Sequence, residues 1–153
     1  MKQEQSILVV DDEQIMRNLY CRLFKKEYKV VTAKDGYEAI EAVKRDDFDV
    51  IFMDIKMPGK NGVETFKEIK RINPEATVFM MTAFEVPELI EDALNEGANG
   101  CLYKPFAVAD VRHAARSKGF TLNKLPVQNE DTKLLLDIED IFYISSKGNY
   151  ACI

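Results

Sequence analysis

Residues 50–59 read VIFMDIKMPG, and the fold turns on this stretch. Val50, Ile51, Phe52 and Met53 form an unbroken apolar run, the pattern of a strand covered on both faces. Asp54 follows directly. A carboxylate buried alone is costly or shifts its pKa, so an acid at this position needs partners or a chemical task.

Outward from this run, apolar strands alternate with amphipathic stretches. ILVV (7–10) precedes a helical pattern in which Ile15, Leu19 and Leu23 recur at four-residue steps. YKVVTA (28–33) precedes DGYEAIEAVKR, with Ile40 and Val43 on one face. The Met-Pro-Gly turn leads to a helix carrying Val63, Phe66, Ile69 and Ile72 at three-residue spacing. TVFMMT (77–82) precedes a helix opened by Pro87, whose buried face is Leu89, Ile90, Ala93 and Leu94. GCLY (100–103) precedes VADVRHAARS, where Val108, Val111 and Ala115 line up. Five strands alternating with five helices predict an α/β fold built of βα units, with a parallel sheet and right-handed crossovers. Such sheets bind ligands beyond the carboxyl ends of their strands, at the topological switch point.

Those ends carry Asp11 and Asp12 after the first strand, Asp54 after the third, Thr82 on the fourth and Lys104 after the fifth. Clustered acids raise one another's pKa unless a cation sits among them. A hard divalent ion such as Mg2+ suits carboxylate, carbonyl and water oxygens, and would hold all three acids ionised. Asp54 is then placed to attack a phosphoryl group as a carboxylate nucleophile, with Lys104 and Thr82 taking up charge on the phosphoryl oxygens. Singly, each residue has a plainer reading: Asp11 or Asp12 as a helix cap, Thr82 as a strand-end hydroxyl, Lys104 as a solvated charge. Their joint occurrence favours the chemical one. His113 is the only histidine and belongs to the last helix, so a His-based triad or zinc site lacks its residues. Met53, Met57, Met80 and Met81 read as core filler.

In order and spacing, ILVVDDE, VIFMDIKMPGKNG, VFMMTA and YKPF resemble the receiver domain of bacterial two-component response regulators, over about residues 5–117. The resemblance implies a doubly wound (βα)5 flavodoxin-like fold with strand order 2-1-3-4-5. It implies that Asp54 takes a phosphoryl group from a sensor histidine kinase or phosphotransfer protein. Mg2+ or Mn2+ would be held by Asp12, Asp54 and the Lys56 backbone carbonyl, with Asp11 helping through water. Thr82 and Lys104 would contact the phosphoryl oxygens, and the Lys104–Pro105 bond would be cis. The protein is then no enzyme beyond its own phosphorylation and dephosphorylation. A haloacid-dehalogenase-like phosphatase also sets an Asp nucleophile after a strand, but it needs a second Asp two residues on. Here Lys56 follows Asp54, and Glu13 follows Asp11, at that distance.

Three positions depart from or qualify the family pattern. Receivers usually carry Tyr or Phe three residues before the site lysine, where its rotation accompanies activation; here Cys101 stands there, with Tyr103 beside the lysine. By strand alternation the two point to the same face, so the coupling of Thr82 to an aromatic is expected to be altered. Lys56 and Phe84, each two residues beyond a site residue, flank the path of attacking water in this fold, and long or bulky groups there predict slow autodephosphorylation.

The chain has 153 residues, 46% hydrophobic and 31% charged, as for a globular protein. No apolar run approaches the roughly 18 residues of a membrane span, and the first residues lack a signal peptide's apolar core. Cys21, Cys101 and Cys152 are scattered, without metal-ligand spacing, and read as reduced thiols in a cytoplasmic protein. The net charge of −5 advertises no nucleic-acid surface. The organisation expected is a receiver over 1–118, a polar Pro-containing linker over 119–132 that begins where Gly119 ends the last helix, and a β-rich tail over 133–153. Leu134–Leu136, Phe142–Ser145 and Tyr150–Ile153 read as short strands, with a hairpin turn at Lys147-Gly148-Asn149. The tail's DI-YI---GNY pattern resembles the start of a LytTR-type DNA-binding domain, cut before the parts that would meet DNA. Transcriptional output would then need a longer protein; a single-domain phosphorelay carrier is the alternative. Homodimerisation is expected through the fourth helix, fifth strand and fifth helix, or through the tail. A lone hairpin is marginal in water, so the tail is expected to be disordered, to dock on its own receiver, or to pair with another chain.

Overall fold

The computed structural model describes residues 4–83 and 87–104, Ala109, and the short segments 143–144 and 150–151. β1 (Ser6–Val10), α1 (Gln14–Phe24), β2 (Lys29–Ala33), α2 (Gly36–Arg45), β3 (Val50–Asp54), α3 (Gly62–Ile72), β4 (Val78–Thr82), α4 (Pro87–Asn95) and β5 (Gly100–Tyr103) follow in chain order, with β6 (Tyr143–Ile144) and β7 (Tyr150–Ala151) beyond them. β1 to β5 form a parallel sheet in the expected order 2-1-3-4-5. Of the expected fifth helix only Ala109 is described, and it is helical; Val108, Val111 and Ala115 lie outside the described residues.

Alternation along the strands divides the core in two. Leu8, Val10, Ile51, Met53, Val78, Met80, Cys101 and Tyr103 face α2, α3 and α4, through Ala39, Ile40, Val63, Phe66, Ile69, Ile90 and Ala93. Ile7, Val9, Val50, Phe52, Phe79, Met81 and Leu102 face the other way, onto Tyr20 and Phe24 of α1. Every residue of β3 and β4 is buried, as the apolar runs required.

α1 turns a different side to the sheet from the one its spacing suggested, and α3 departs from its expected face at one residue. On α1, Ile15 is 78% and Leu19 43% exposed, while Arg17, Tyr20 and Phe24 are buried. At about 100° per residue Ile15 lies roughly 140° around the helix from Tyr20, and the larger aromatic stripe wins the core. On α3, Ile72 is exposed although Val63, Phe66 and Ile69 are buried. Three-residue steps drift backwards about 60° each, which carries Ile72 to the far side from Val63.

The connections after the strands are pinned by local chemistry. Asp35 accepts from the Glu38 amide at 2.8 Å and caps α2. Asn61 and Glu64 form a capping box that opens α3. Gly59 turns the loop at φ +75°, open to glycine at no steric cost. Gly62 donates to the Ile55 carbonyl at 2.7 Å and brings α3 onto the end of β3. A Cβ at position 62 would lie 2.0 Å from the Asp54 carbonyl oxygen and 2.8 Å from Ile55 Cα. Only glycine permits that approach.

In the tail, β6 pairs antiparallel with β7, Ile144 opposite Tyr150, and β7 runs antiparallel to β5 with Ala151 opposite Leu102. The hairpin strands therefore extend this chain's own sheet at the β5 edge. Leu134–Leu136 and the turn at 147–149 lie outside the described residues.

Because the neighbours of that Cβ are backbone atoms, Gly62→Ala is expected to cost roughly 3 kcal/mol. Urea denaturation with an unchanged m-value and a lowered midpoint is the measurement, and a midpoint equal to wild type would show that α3 does not close on β3 in this way.

Candidate functional site

Strand register decides which residues meet. Val10 stands beside Met53 and Asp54 beside Met81, so the loops after β1, β3, β4 and β5 leave the sheet side by side. The side-chain oxygens of Asp11, Asp12 and Asp54 come within 4.8 Å of one another. Asp11 and Asp54 are buried and Asp12 is exposed. Lys104 reaches in from the end of β5 and donates from Nζ to Asp11 Oδ2 at 2.7 Å and to Asp54 Oδ2 at 3.5 Å. Its backbone amide donates to the Thr82 carbonyl at 2.7 Å, which fixes the loop to the end of β4. Thr82 itself is fully buried.

Asp11 is not the helix cap its position allowed: the N-cap of α1 is Glu13, without a side-chain cap bond. Asp11 Oδ1 instead accepts from the Glu13 amide at 2.9 Å, which leaves Oδ2 for Lys104. Burial pushes the Asp54 carboxyl up to about 6, and the charges of Asp11 and Asp12 add to this while Lys104 opposes it. Burial pulls the Lys104 ammonium down, but its bonds and charges with Asp11 and Asp54 outweigh that and leave it raised. Two buried carboxylates and one exposed one crowd together, and among the described residues Lys104 donates to the two buried ones. Three hard oxygen donors at this spacing fit a divalent ion such as Mg2+.

Cys101 and Tyr103 lie in the same core, as alternation required. In register, Tyr103 stands beside Thr82 and Cys101 beside Met80, so the aromatic rather than the thiol is the strand neighbour of Thr82. Lys56 is exposed just beyond Asp54. Phe84, Pro105 with its expected cis bond, and His113 fall outside the described residues.

Two residues near the acids went unread in the sequence. Tyr20 is buried under them from the second core, and burial, then the charges of Asp11 and Asp54, push its phenol up. Arg17 is buried with its guanidinium on the Asp11 carbonyl at 2.6 Å. The signal was available, because positions 17, 20 and 24 share one helix face and an arginine on a core stripe needs a reason.

A family profile described as the response regulator receiver domain matches residues 7–116. The chain belongs to that family. This receiver is 37% identical over 109 residues to chemotaxis protein CheY of Halobacterium salinarum, covering 71% of this chain and 91% of that protein. It is 33% identical over 113 residues to sporulation initiation phosphotransferase F of Bacillus subtilis, covering 73% and 91%. Among solved structures, chemotaxis protein CheY4 of Vibrio cholerae matches with a TM-score of 0.71 at 28% identity, covering 76% of the receiver chain and 99% of the other. A chain of the CheX–CheY–BeF3–Mg2+ complex from Borrelia burgdorferi matches with a TM-score of 0.69 at 28% identity, covering 74% and 87%. No helix among the described residues is long and apolar enough to cross a membrane.

A raised carboxyl makes stability fall with pH. Asp54 binds its proton more tightly in the folded chain, so its stabilising contribution is full below 3.8 and is lost as pH rises through about 6. In EDTA, Asp54→Asn should therefore gain on wild type as pH rises from about 4 to about 7, by on the order of 3 kcal/mol. Denaturation midpoints of the two proteins that stay parallel across that range would refute the shift.

Proposed function

We propose that this receiver accepts a phosphoryl group on Asp54 and hands the resulting change of shape to a partner. The observation that carries the reading is the meeting of Asp11, Asp12 and Asp54 within 4.8 Å, with Lys104 held among them. Asp12, Asp54 and the Lys56 carbonyl, with help from Asp11, would hold Mg2+ or Mn2+, which would supply the positive charge that lets the acids stay ionised beside an incoming phosphate. An Asp54 oxygen attacks phosphorus as the bond from phosphorus to the donor's imidazole nitrogen, or to an acyl oxygen, breaks. The leaving group keeps the electron pair. Lys104, already 3.5 Å from Asp54, follows the charge as it moves onto the phosphoryl oxygens, and the Thr82 hydroxyl meets another of them. The protein catalyses nothing beyond its own phosphorylation and dephosphorylation.

The donor is a sensor histidine kinase or a phosphotransfer protein. The relatives named for chemotaxis and for sporulation phosphotransfer support that reading, as does the CheX–CheY complex. So do Ile15 and Leu19, exposed on α1 directly after the acids, where a partner's apolar surface can cover them.

Phosphorylation biases a two-state equilibrium and reshapes the surface of α4, β5 and the fifth helix, changing dimerisation. Tyr103 beside Thr82 is the aromatic placed to respond. In a structure of the activated protein, Thr82 is expected to move with no rotamer change at Cys101; an unmoved Thr82 would sink this.

A second reading concerns output. The DI-YI---GNY resemblance favours the opening of a LytTR-type DNA-binding domain, completed in a longer protein, whereas the pairing of β7 on β5 favours a short strand pair that packs on the receiver. The relatives matched over 91% of their length favour a carrier without DNA-binding output. About eighty further residues with basic strands and loops in the full gene support the first, by the size such a domain needs. A stop near Ile153 supports the second.

Incubation with Mg2+ and acetyl phosphate, followed by intact mass measurement, should show one added phosphoryl group on wild type and none on Asp54→Asn. Addition that survives in the variant defeats the assignment. Followed over time, the adduct should decay slowly, and faster once Lys56 and Phe84 are both replaced by serine; an equal lifetime removes their role in excluding water.

A further inference from the structure

Arg17 is only 9% exposed, yet both of its hydrogen-bond acceptors are neutral. Nη1 donates to the Asp11 carbonyl and Nη2 to Gln14 Oε1, each at 2.6 Å. A buried guanidinium ordinarily meets a carboxylate, so placing this one on a peptide oxygen calls for an explanation. That oxygen belongs to the peptide unit joining Asp11 to Asp12. The unit before it is tied to β2, where the Asp11 amide donates to Ala33 at 3.1 Å. The unit after it is tied by the Glu13 amide donating to Asp11 Oδ1 at 2.9 Å. Three successive peptide units are thus restrained, and Arg17 holds the middle one. Asp12 is exposed, and the backbone that carries it sets the direction of its carboxylate.

We infer that Arg17 is a positioning residue for the cation site: by clamping the Asp11–Asp12 peptide it sets two adjacent carboxylates at the separation and angle a divalent ion requires before the ion arrives. The inference rests on the cation reading of Asp11, Asp12 and Asp54 given above. A guanidinium suits the task because it stays charged and its planar fork spans two acceptors at once, here one on the loop and one on the first turn of α1. The acid loop is thereby made rigid with the helix that follows it.

Geometry and charge make different predictions. Mg2+ demands a near-ideal octahedron, whereas Ca2+ tolerates irregular oxygen sets. Loss of a positioning residue therefore weakens Mg2+ more than Ca2+, while loss of a nearby positive charge shifts the affinity for both ions alike. Calorimetric titration of the unphosphorylated full chain with MgCl2 and with CaCl2 reads this directly, with the thermal midpoint in EDTA recorded alongside. Arg17→Gln is expected to weaken Mg2+ by about tenfold, the lower end of what losing an outer-shell partner costs a metal site, and Ca2+ by no more than about threefold. Arg17→Lys should recover part of the Mg2+ affinity, since an ammonium can donate to the Asp11 carbonyl without spanning to Gln14. A folded Arg17→Gln protein with Mg2+ affinity within about twofold of wild type overturns the inference, as does equal weakening of both ions. Should Arg17→Gln fail to fold, Arg17→Lys decides: a lowered preference for Mg2+ over Ca2+ supports the clamp, and a wild-type preference overturns it. Wild-type protein that binds neither ion overturns the cation reading itself.

Discussion

Three carboxylates crowd the end of a buried sheet, where Lys104 donates to two of them, and much of the described fold holds that cluster together. Lys104 is drawn to Asp11 at 2.7 Å and stands 3.5 Å from Asp54, so the acid at the end of β3 is the less well compensated of the two. Burial then raises it to about 6, close enough to neutrality that small changes in nearby charge decide its state.

Keeping such a cluster together requires a scaffold that does not relax. β3 and β4 are covered on both faces, which leaves the strands little freedom to slip, since a one-residue shift would exchange the two cores. Gly62 lets the first turn of α3 sit against the Asp54 backbone, and the Asn61–Glu64 capping box anchors the loop between them. On the other side of the acids, Arg17 ties the loop after β1 to α1. Gly62 and Arg17 act directly on the backbone of an acid in the cluster, at the Asp54 and Asp11 carbonyls.

Much of this was legible in the linear sequence. The apolar runs announced five strands, the alternation with amphipathic segments announced a parallel sheet, and the rule that ligands gather at strand ends picked out Asp11, Asp12, Asp54, Thr82 and Lys104. These are local patterns, carried by consecutive residues. The face of α1 was less legible. Ile15 and Leu19 have the spacing of a core stripe, but Tyr20 and Phe24 bury more surface, and the register of a helix on a sheet is settled by that competition. Spacing places Arg17 on the buried face of α1 but does not name its partner, which is a backbone oxygen that every residue possesses.

By itself, then, the sequence determined the elements, their order and the chemical types gathered at one edge of the sheet, because periodicity and strand-end position are properties of the chain. The tertiary structure decided the distances: which acid holds the lysine, that Tyr103 rather than Cys101 neighbours Thr82, and that a buried arginine grips the peptide between two acids. Those follow from strand register and from helices competing for the same core, which join residues far apart in the chain and leave no mark on any one stretch of it.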